Sequence, residues 1–151
     1  LSSSSAASDV YKRQKEGETR IIPLGVELDL EQLKANWANK ELDKYTRENK
    51  KDLVNLWFND FLESHYLSLS IRSSLATKGL VIPNGIGVID LDFMNELGLI
   101  LYHTYTNGNK DSYIVNKGDK VAQCTLIKHK GYLMGYGSNT ERTGGFGSTG
   151  A

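Results

Sequence analysis

The chain has 151 residues, 39% of them apolar, with 18 basic and 18 acidic side chains and a formal net charge of zero. That length suffices for one domain with a real core, and the balanced charge argues against bulk nucleic-acid or membrane-surface binding. A single cysteine, Cys124, excludes an intramolecular disulfide, no apolar run is long enough to span a membrane, and the three histidines, His65, His103 and His129, show no metal-ligand spacing.

Residues 1–14 read LSSSSAASDVYKRQ, a serine-rich stretch without a hydrophobic signal core. From residue 4 onward it resembles one reading frame of a common transposase sequencing adapter. The leader is therefore set apart from the fold, either as an adapter remnant or as natural serine-rich disorder. A turn at residues 16–19 precedes an apolar, β-branched run over 20–28 that predicts a strand. Asp29 with Gln32 three residues on is an N-cap pair, and Leu30, Leu33 and Trp37 follow at helical spacing. A second helix is marked by Leu53, Trp57 and Phe61 at i, i+4 and i+8, flanked by Val54, Phe58 and Leu62. Together these predict a helical hairpin over about residues 30–64, inserted at the rim of a β scaffold. The Leu53–Trp57–Phe61 stripe is expected to be its packing face, with a surface for a protein partner as the alternative.

From Tyr66 the period changes to two: Leu67, Leu69 and Ile71 alternate with Ser68, Ser70 and Arg72, as in a half-buried strand. Further strands are predicted at 81–82, 96–105, 113–115 and 120–127, with turns at 83–85, 107–109 and 116–118. Cys124 lies in the last of these strands and reads as a small core residue. Many short strands with such turns predict an all-β jelly roll or distorted barrel. The chain closes on a glycine-rich tail at 141–150, ERTGGFGSTG. The tail has too little apolar surface to fold alone, so it is either disordered or ordered on a ligand or partner. Its glycines, Arg142, Phe146, Ser148 and Thr149 are suited to a nucleoside triphosphate: backbone N–H groups and a guanidinium for phosphates, an aromatic face for a base.

Three upstream segments bear on that choice: RSSLA at 72–76, GVIDLDF at 87–93 and GDKVAQ at 118–123. In this order and at these separations, together with GGFGSTG at 144–150, they resemble motifs two, three, four and five of the trimeric dUTPases (dUTP diphosphatases). Each motif alone is weak, and four in register are specific. The resemblance runs from about residue 17 to 150, interrupted by the helical insertion. It places motif one upstream of Lys15, where the adapter-like segment stands, and so implies an N-terminal truncation.

The resemblance implies hydrolysis of dUTP to dUMP and pyrophosphate by water attack on the α-phosphorus. Taken alone, Asp90 reads as a turn or cap residue; by resemblance it is the base that orients and deprotonates that water. Asp92 is expected in a structural ion pair or hydrogen bond. Residues 84–93 are expected to form a β-hairpin receiving uracil and deoxyribose through Asn84 and the backbone of Gly87, Val88 and Ile89. Phe93, where the family usually has tyrosine, is expected to pack on the sugar and exclude a 2′-hydroxyl. Arg72, Ser73, Ser74 and Gln123 correspond to phosphate contacts. Arg142, Phe146, Gly147, Ser148 and Thr149 correspond to the closing tail. A magnesium ion is implied, bound mainly through the triphosphate and without a protein ligand in this chain. The family is a homotrimer whose sites draw on three subunits.

The domain organisation implied is a leader at 1–14, a β domain at 15–140 and a tail at 141–151. A cytoplasmic enzyme is expected. The alternatives are a dCTP deaminase-like relative, which shares the fold but places a glutamate in the strand after the hairpin where residues 97–103 carry no acid, and a phage-type dUTPase relative that binds a regulatory protein through the insert.

Overall fold

The computed structural model describes residues 4–7, 12–15, 17–104 and 112–134. Nine strands are present among them: β1 (Ser4–Ala7), β2 (Lys12–Gln14), β3 (Thr19–Pro23), β4 (His65–Ile71), β5 (Leu80–Val81), β6 (Gly87–Asp90), β7 (Gly98–His103), β8 (Tyr113–Val115) and β9 (Lys120–Lys128). All pairings are antiparallel and make three sheets, ordered β1-β9-β4-β6, β2-β8 and β3-β7-β5. Four α-helices accompany them, α1 (Leu30–Glu41), α2 (Lys44–Asn49), α3 (Lys51–Glu63) and the single turn α4 (Ser73–Ala76), with a 3-10 turn at Gly131–Met134.

The core draws on all three sheets. Ile22 of β3, Leu69 of β4, Leu80 of β5, Leu99 and Leu101 of β7, Val115 of β8, and Val121 and Ala122 of β9 form one cluster, joined by Leu75 of α4. Strand β7 is largely buried because it is central in its sheet, with β3 on one side and β5 on the other, and its Leu99 and Leu101 are hidden. Strand β3 is shorter than the predicted 20–28. It ends at Pro23, which has no N–H with which to extend the ladder. Beyond it Gly25 turns at φ 65° and donates its N–H to Glu96 Oε1 at 2.8 Å.

The leader departs from expectation. Its described residues supply β1, paired along β9 from Ser4↔Cys124 to Ala7↔Lys120, and β2, paired with β8. Edge pairing uses backbone N–H and C=O groups, which a serine-rich segment offers as well as any other.

The insert also differs in detail. It holds three helices, because Asp43 starts a new one after Leu42 adopts an extended conformation: its Oδ1 accepts from Thr46 N at 2.9 Å and its Oδ2 from Thr46 Oγ1 at 2.7 Å. These bonds hold the Asp43 carboxyl below its ordinary range. Asp29 caps α1 through Gln32 N, as its spacing predicts. Arg47 Nη1 donates to Leu42 O at 2.8 Å, tying α2 to the carbonyl end of α1. The packing face of α3 is one residue away from the predicted stripe. Val54 and Phe58 are the buried positions, at 7% and 5% exposure, whereas Leu53 and Trp57 are 40% and 39% exposed. Of the predicted stripe, Phe61 is partly buried against Trp37 of α1, while Leu53 and Trp57 are left uncovered. Trp37, Phe58 and Phe61 cluster at centroid separations of 5.5–5.9 Å, with Trp37 tilted to both phenyl rings, and Phe61 stacks on His65 at 4.2 Å, where α3 runs into β4.

Candidate functional site

Arg72 follows β4 directly and is the N-cap residue of α4. Its N–H donates to Val121 O at 3.2 Å, fastening the segment to β9. Leu75, 4% exposed, roots α4 in the core and leaves Ser73 and Ser74 at the surface. Gln123 lies opposite Ser70. Directly paired residues share a face and so do residues two apart, so Gln123, Ser70 and Arg72 lie on one side of the sheet. Cys124 points to the other, against the core, and partial burial pushes its thiol pKa up, away from nucleophile chemistry.

Residues 84–93 do not form the predicted hairpin. After the turn around Asn84, where Gly85 N–H reaches Ile82 O at 3.0 Å with φ +81°, the chain makes one strand, β6, whose partner is β4. The register is Gly87↔Leu69, Val88↔Ser68, Ile89↔Leu67 and Asp90↔Tyr66. Gly87 is favoured by this pairing: a Cβ there would lie 3.1 Å from Leu69 Cβ, so one of the two would have to give by a few tenths of an ångström. Ile89 packs on the core, while Val88 and Asp90 stand exposed on the opposite face. A turn follows at once, with Phe93 N–H donating to Asp90 O at 3.1 Å. Leu91 and Phe93, 2% and 9% exposed, anchor the turn, so the carboxylate of Asp90 sits on a strand end pinned from below. Phe93 therefore belongs to the core cluster here. Asp92 is exposed and makes neither the ion pair nor the side-chain hydrogen bond expected of it among the described residues.

Arg72, Ser73, Ser74 and Gln123 gather at one end of β4. Asp90 lies opposite Tyr66, six residues before Arg72. At about 3.3 Å per residue that is roughly 20 Å along the strand. One chain thus brings the phosphate-type residues together but holds Asp90 apart from them. Arg142, Phe146, Gly147, Ser148 and Thr149 lie outside the described residues. Tyr66 and Ser70, the strand neighbours of Asp90 and Gln123, were not singled out from the sequence; alternation places them on the polar face, and only the register places them beside those residues. Among the described residues no group of three or more His, Cys, Asp or Glu side chains could hold a metal ion, and no helix is long and apolar enough to cross a membrane.

The sequence profile of the dUTPase family matches residues 61–150, more than half of the chain. The chain belongs to the dUTPase family. The match takes in β4, α4, β6 and β9 and starts at the last turn of α3, so nearly all of the helical insert lies outside it. The deoxyuridine 5′-triphosphate nucleotidohydrolases of Rickettsia canadensis and Rickettsia massiliae are each 38% identical over 84 residues, covering 52% of this chain and 54% of theirs. The chain therefore matches about half the length of these relatives.

Solved dUTPases share the fold. The Streptococcus mutans enzyme aligns with a TM-score of 0.56 at 17% identity, over 86% of this chain and 80% of its own. The dUTPase of phage phi11 of S. aureus aligns with a TM-score of 0.54 at 15% identity, over 97% and 84%. The architecture is thus the dUTPase jelly roll, all-β with inserted helices.

Proposed function

We propose that this dUTPase-family chain hydrolyses dUTP to dUMP and pyrophosphate, with Asp90 as the general base. The observation that carries the reading is the family match across 61–150, which spans Arg72, Asp90, Gln123 and the Arg142–Thr149 tail. In this reading Asp90 accepts a proton from water as the water oxygen bonds to the α-phosphorus and the bond to the bridging oxygen breaks, releasing pyrophosphate. Arg72 offers a charge-assisted fork to the phosphates, and Ser73, Ser74 and Gln123 offer neutral donors. Asn84 and the backbone of Gly87, Val88 and Ile89 receive the base, Phe93 offers the sugar only the edge that its core packing leaves exposed, and Arg142, Phe146, Gly147, Ser148 and Thr149 close over the nucleotide.

A magnesium ion carried in by the triphosphate with its own waters belongs to the same proposal; bound there, the ion would neutralise charge on the phosphoryl oxygens. The roughly 20 Å between Asp90 and Arg72 on one chain supports sites assembled between subunits, and we assign a homotrimer with three shared sites. A cytoplasmic location belongs to the same proposal. The helical insert stands outside this chemistry and is left free for a protein partner.

Pyrophosphate release from dUTP, dCTP and UTP with magnesium tests the activity. Turnover of dUTP alone is expected. Comparable turnover of UTP would remove the sugar-exclusion role of Phe93, and ammonia from dCTP would favour a deaminase. Mixing an Asp90→Asn chain with an Arg72→Ala chain tests the sharing. Activity should reappear in mixed oligomers, since one site can then take Asp90 from one chain and Arg72 from another. No recovery despite confirmed subunit exchange would mean that each chain builds its own site.

A further inference from the structure

The stripe that α3 leaves uncovered is not a blank surface. Trp57, Asp60 and Phe61 project from one face of α3, Trp37 and Glu41 from one face of α1, and with Ser64, His65 and Lys128 they line an open cleft of about 390 Å³. The spacing i, i+3, i+4 on α3 and i, i+4 on α1 brings these side chains to one mouth. Two indoles and a phenyl ring form the walls, and Phe61 is backed by His65 at 4.2 Å. Glu41 and Asp60 are exposed, and neither makes an ion pair among the described residues. Lys128 is the lysine of the lining and is not paired with either carboxylate. Leu53 and Leu56, 40% and 56% exposed, extend an apolar apron along the same helix.

We propose that this cleft binds an arginine side chain on an exposed segment of a partner protein. Aromatic faces attract cations through the ring quadrupole, and indole does so best. The insert already uses this chemistry internally: Lys34 Nζ lies 5.9 Å from the Phe58 centroid and Lys50 Nζ 5.9 Å from that of Tyr45. Two unpaired carboxylates against one lysine leave the mouth net acidic, which favours a cation over a phosphate. Arginine fits better than lysine because its planar guanidinium can stack on an indole while forking to a carboxylate. The volume is at the small end of ligand clefts, enough for one long side chain. The leucines offer a seat to apolar residues flanking that arginine. The proposal does not depend on the chemistry assigned to Asp90, since no residue lining the cleft is among those assigned to that chemistry.

Both tryptophans of the chain line the cleft, so intrinsic indole fluorescence reports on it directly. The full chain is titrated with acetyl-Leu-Arg-Leu-amide and with the same peptide carrying citrulline, the neutral isostere. A saturable fluorescence change is expected with the arginine peptide, with the citrulline peptide at least about tenfold weaker, the order a partly desolvated cation–π contact contributes. The Glu41→Gln/Asp60→Asn double variant should lose the response while keeping its far-UV circular dichroism, because both side chains are exposed. Equal response to citrulline, an unchanged response in the double variant, or no saturable response at all would overturn the proposal. So would saturable quenching by dUTP that survives Asp60→Asn, which would make the cleft a nucleobase site.

Discussion

The sheet body and the helical insert are stabilised in different ways. In the body Ile22, Leu80, Leu101, Val115, Val121 and Ala122 are wholly hidden, and the pairs that hide them are far apart in sequence. In the insert only Ala38, Thr46, Val54 and Phe58 are buried, none completely, and the rest rests on caps, an arginine staple and stacked rings between near neighbours. Burial supplies most of the driving force for folding, so the body carries the stability and the insert is a local attachment to it. The residues proposed for chemistry follow the same division, all of them outside the insert.

The largest effect that can test this division is on turnover. Asp90→Asn is expected to reduce dUTP hydrolysis by roughly 10²–10⁴-fold, as for loss of a general base. Near-normal turnover would exclude it as the base. Replacing residues 30–63 with a short glycine-containing turn should leave turnover within about tenfold, or about 1.4 kcal/mol of barrier. A soluble but inactive deletion would show that the insert contributes to the site.

Core truncations come next. Leu101→Ala in β7 removes a fully hidden side chain, and about 2–5 kcal/mol should be lost in one cooperative transition. Phe58→Ala removes the centre of the insert's aromatic cluster and should cost toward the lower end of about 3–5 kcal/mol. That loss should fall on the helices. Hydrogen exchange would accelerate in α1 and α3 while β4, β7 and β9 stay protected. If exchange accelerates equally in the sheets, the insert is not a separate unit.

Local pattern was legible wherever one face meets water. The alternation from Tyr66 gave β4, the apolar run gave β9, and the spacing from Asp29 to Gln32 gave a cap that forms. What failed depended on distant partners. On α3, Phe61 of the expected stripe packs, but Val54 and Phe58 take the buried places expected for Leu53 and Trp57, because two apolar stripes lie side by side and only the arrangement of α1 and α2 chooses between them. The hairpin at 84–93 is absent because β6 finds its partner in β4, across the sheet, instead of in the adjacent chain. The same register separates Asp90 from Arg72, which motif order alone does not disclose. The leader's place beside β9 rests on backbone bonds that leave no mark on composition.

Gly87 tests that register at moderate cost. The Cβ of Gly87→Ala would meet Leu69 Cβ at 3.1 Å, and Leu69 is 2% exposed. Neither group can withdraw into solvent, so overpacking of roughly 1–3 kcal/mol is expected. Thermal unfolding reads it directly. A neutral substitution would mean that β6 does not press on Leu69 as the pairing requires.

The smallest effect belongs to the insert alone and depends on pH. Hydrogen bonds from the Thr46 hydroxyl and amide hold the Asp43 carboxyl below its ordinary value. A group whose folded pKa is depressed contributes stability that is present above its unfolded pKa and is lost as pH falls through the folded value. Acid should therefore loosen the start of α2, and Arg47, whose hold on Leu42 O depends on α2 being formed, should release with it. Asp43→Asn keeps a side-chain oxygen for the Thr46 amide but cannot be protonated in this range. Its helical circular dichroism should change less than that of the unaltered chain as pH is lowered from neutrality through the carboxylate range. The sheets should titrate identically in both. If the two proteins lose helix in parallel, the charge on Asp43 does not hold α2, and the insert answers to the same titrations as the body.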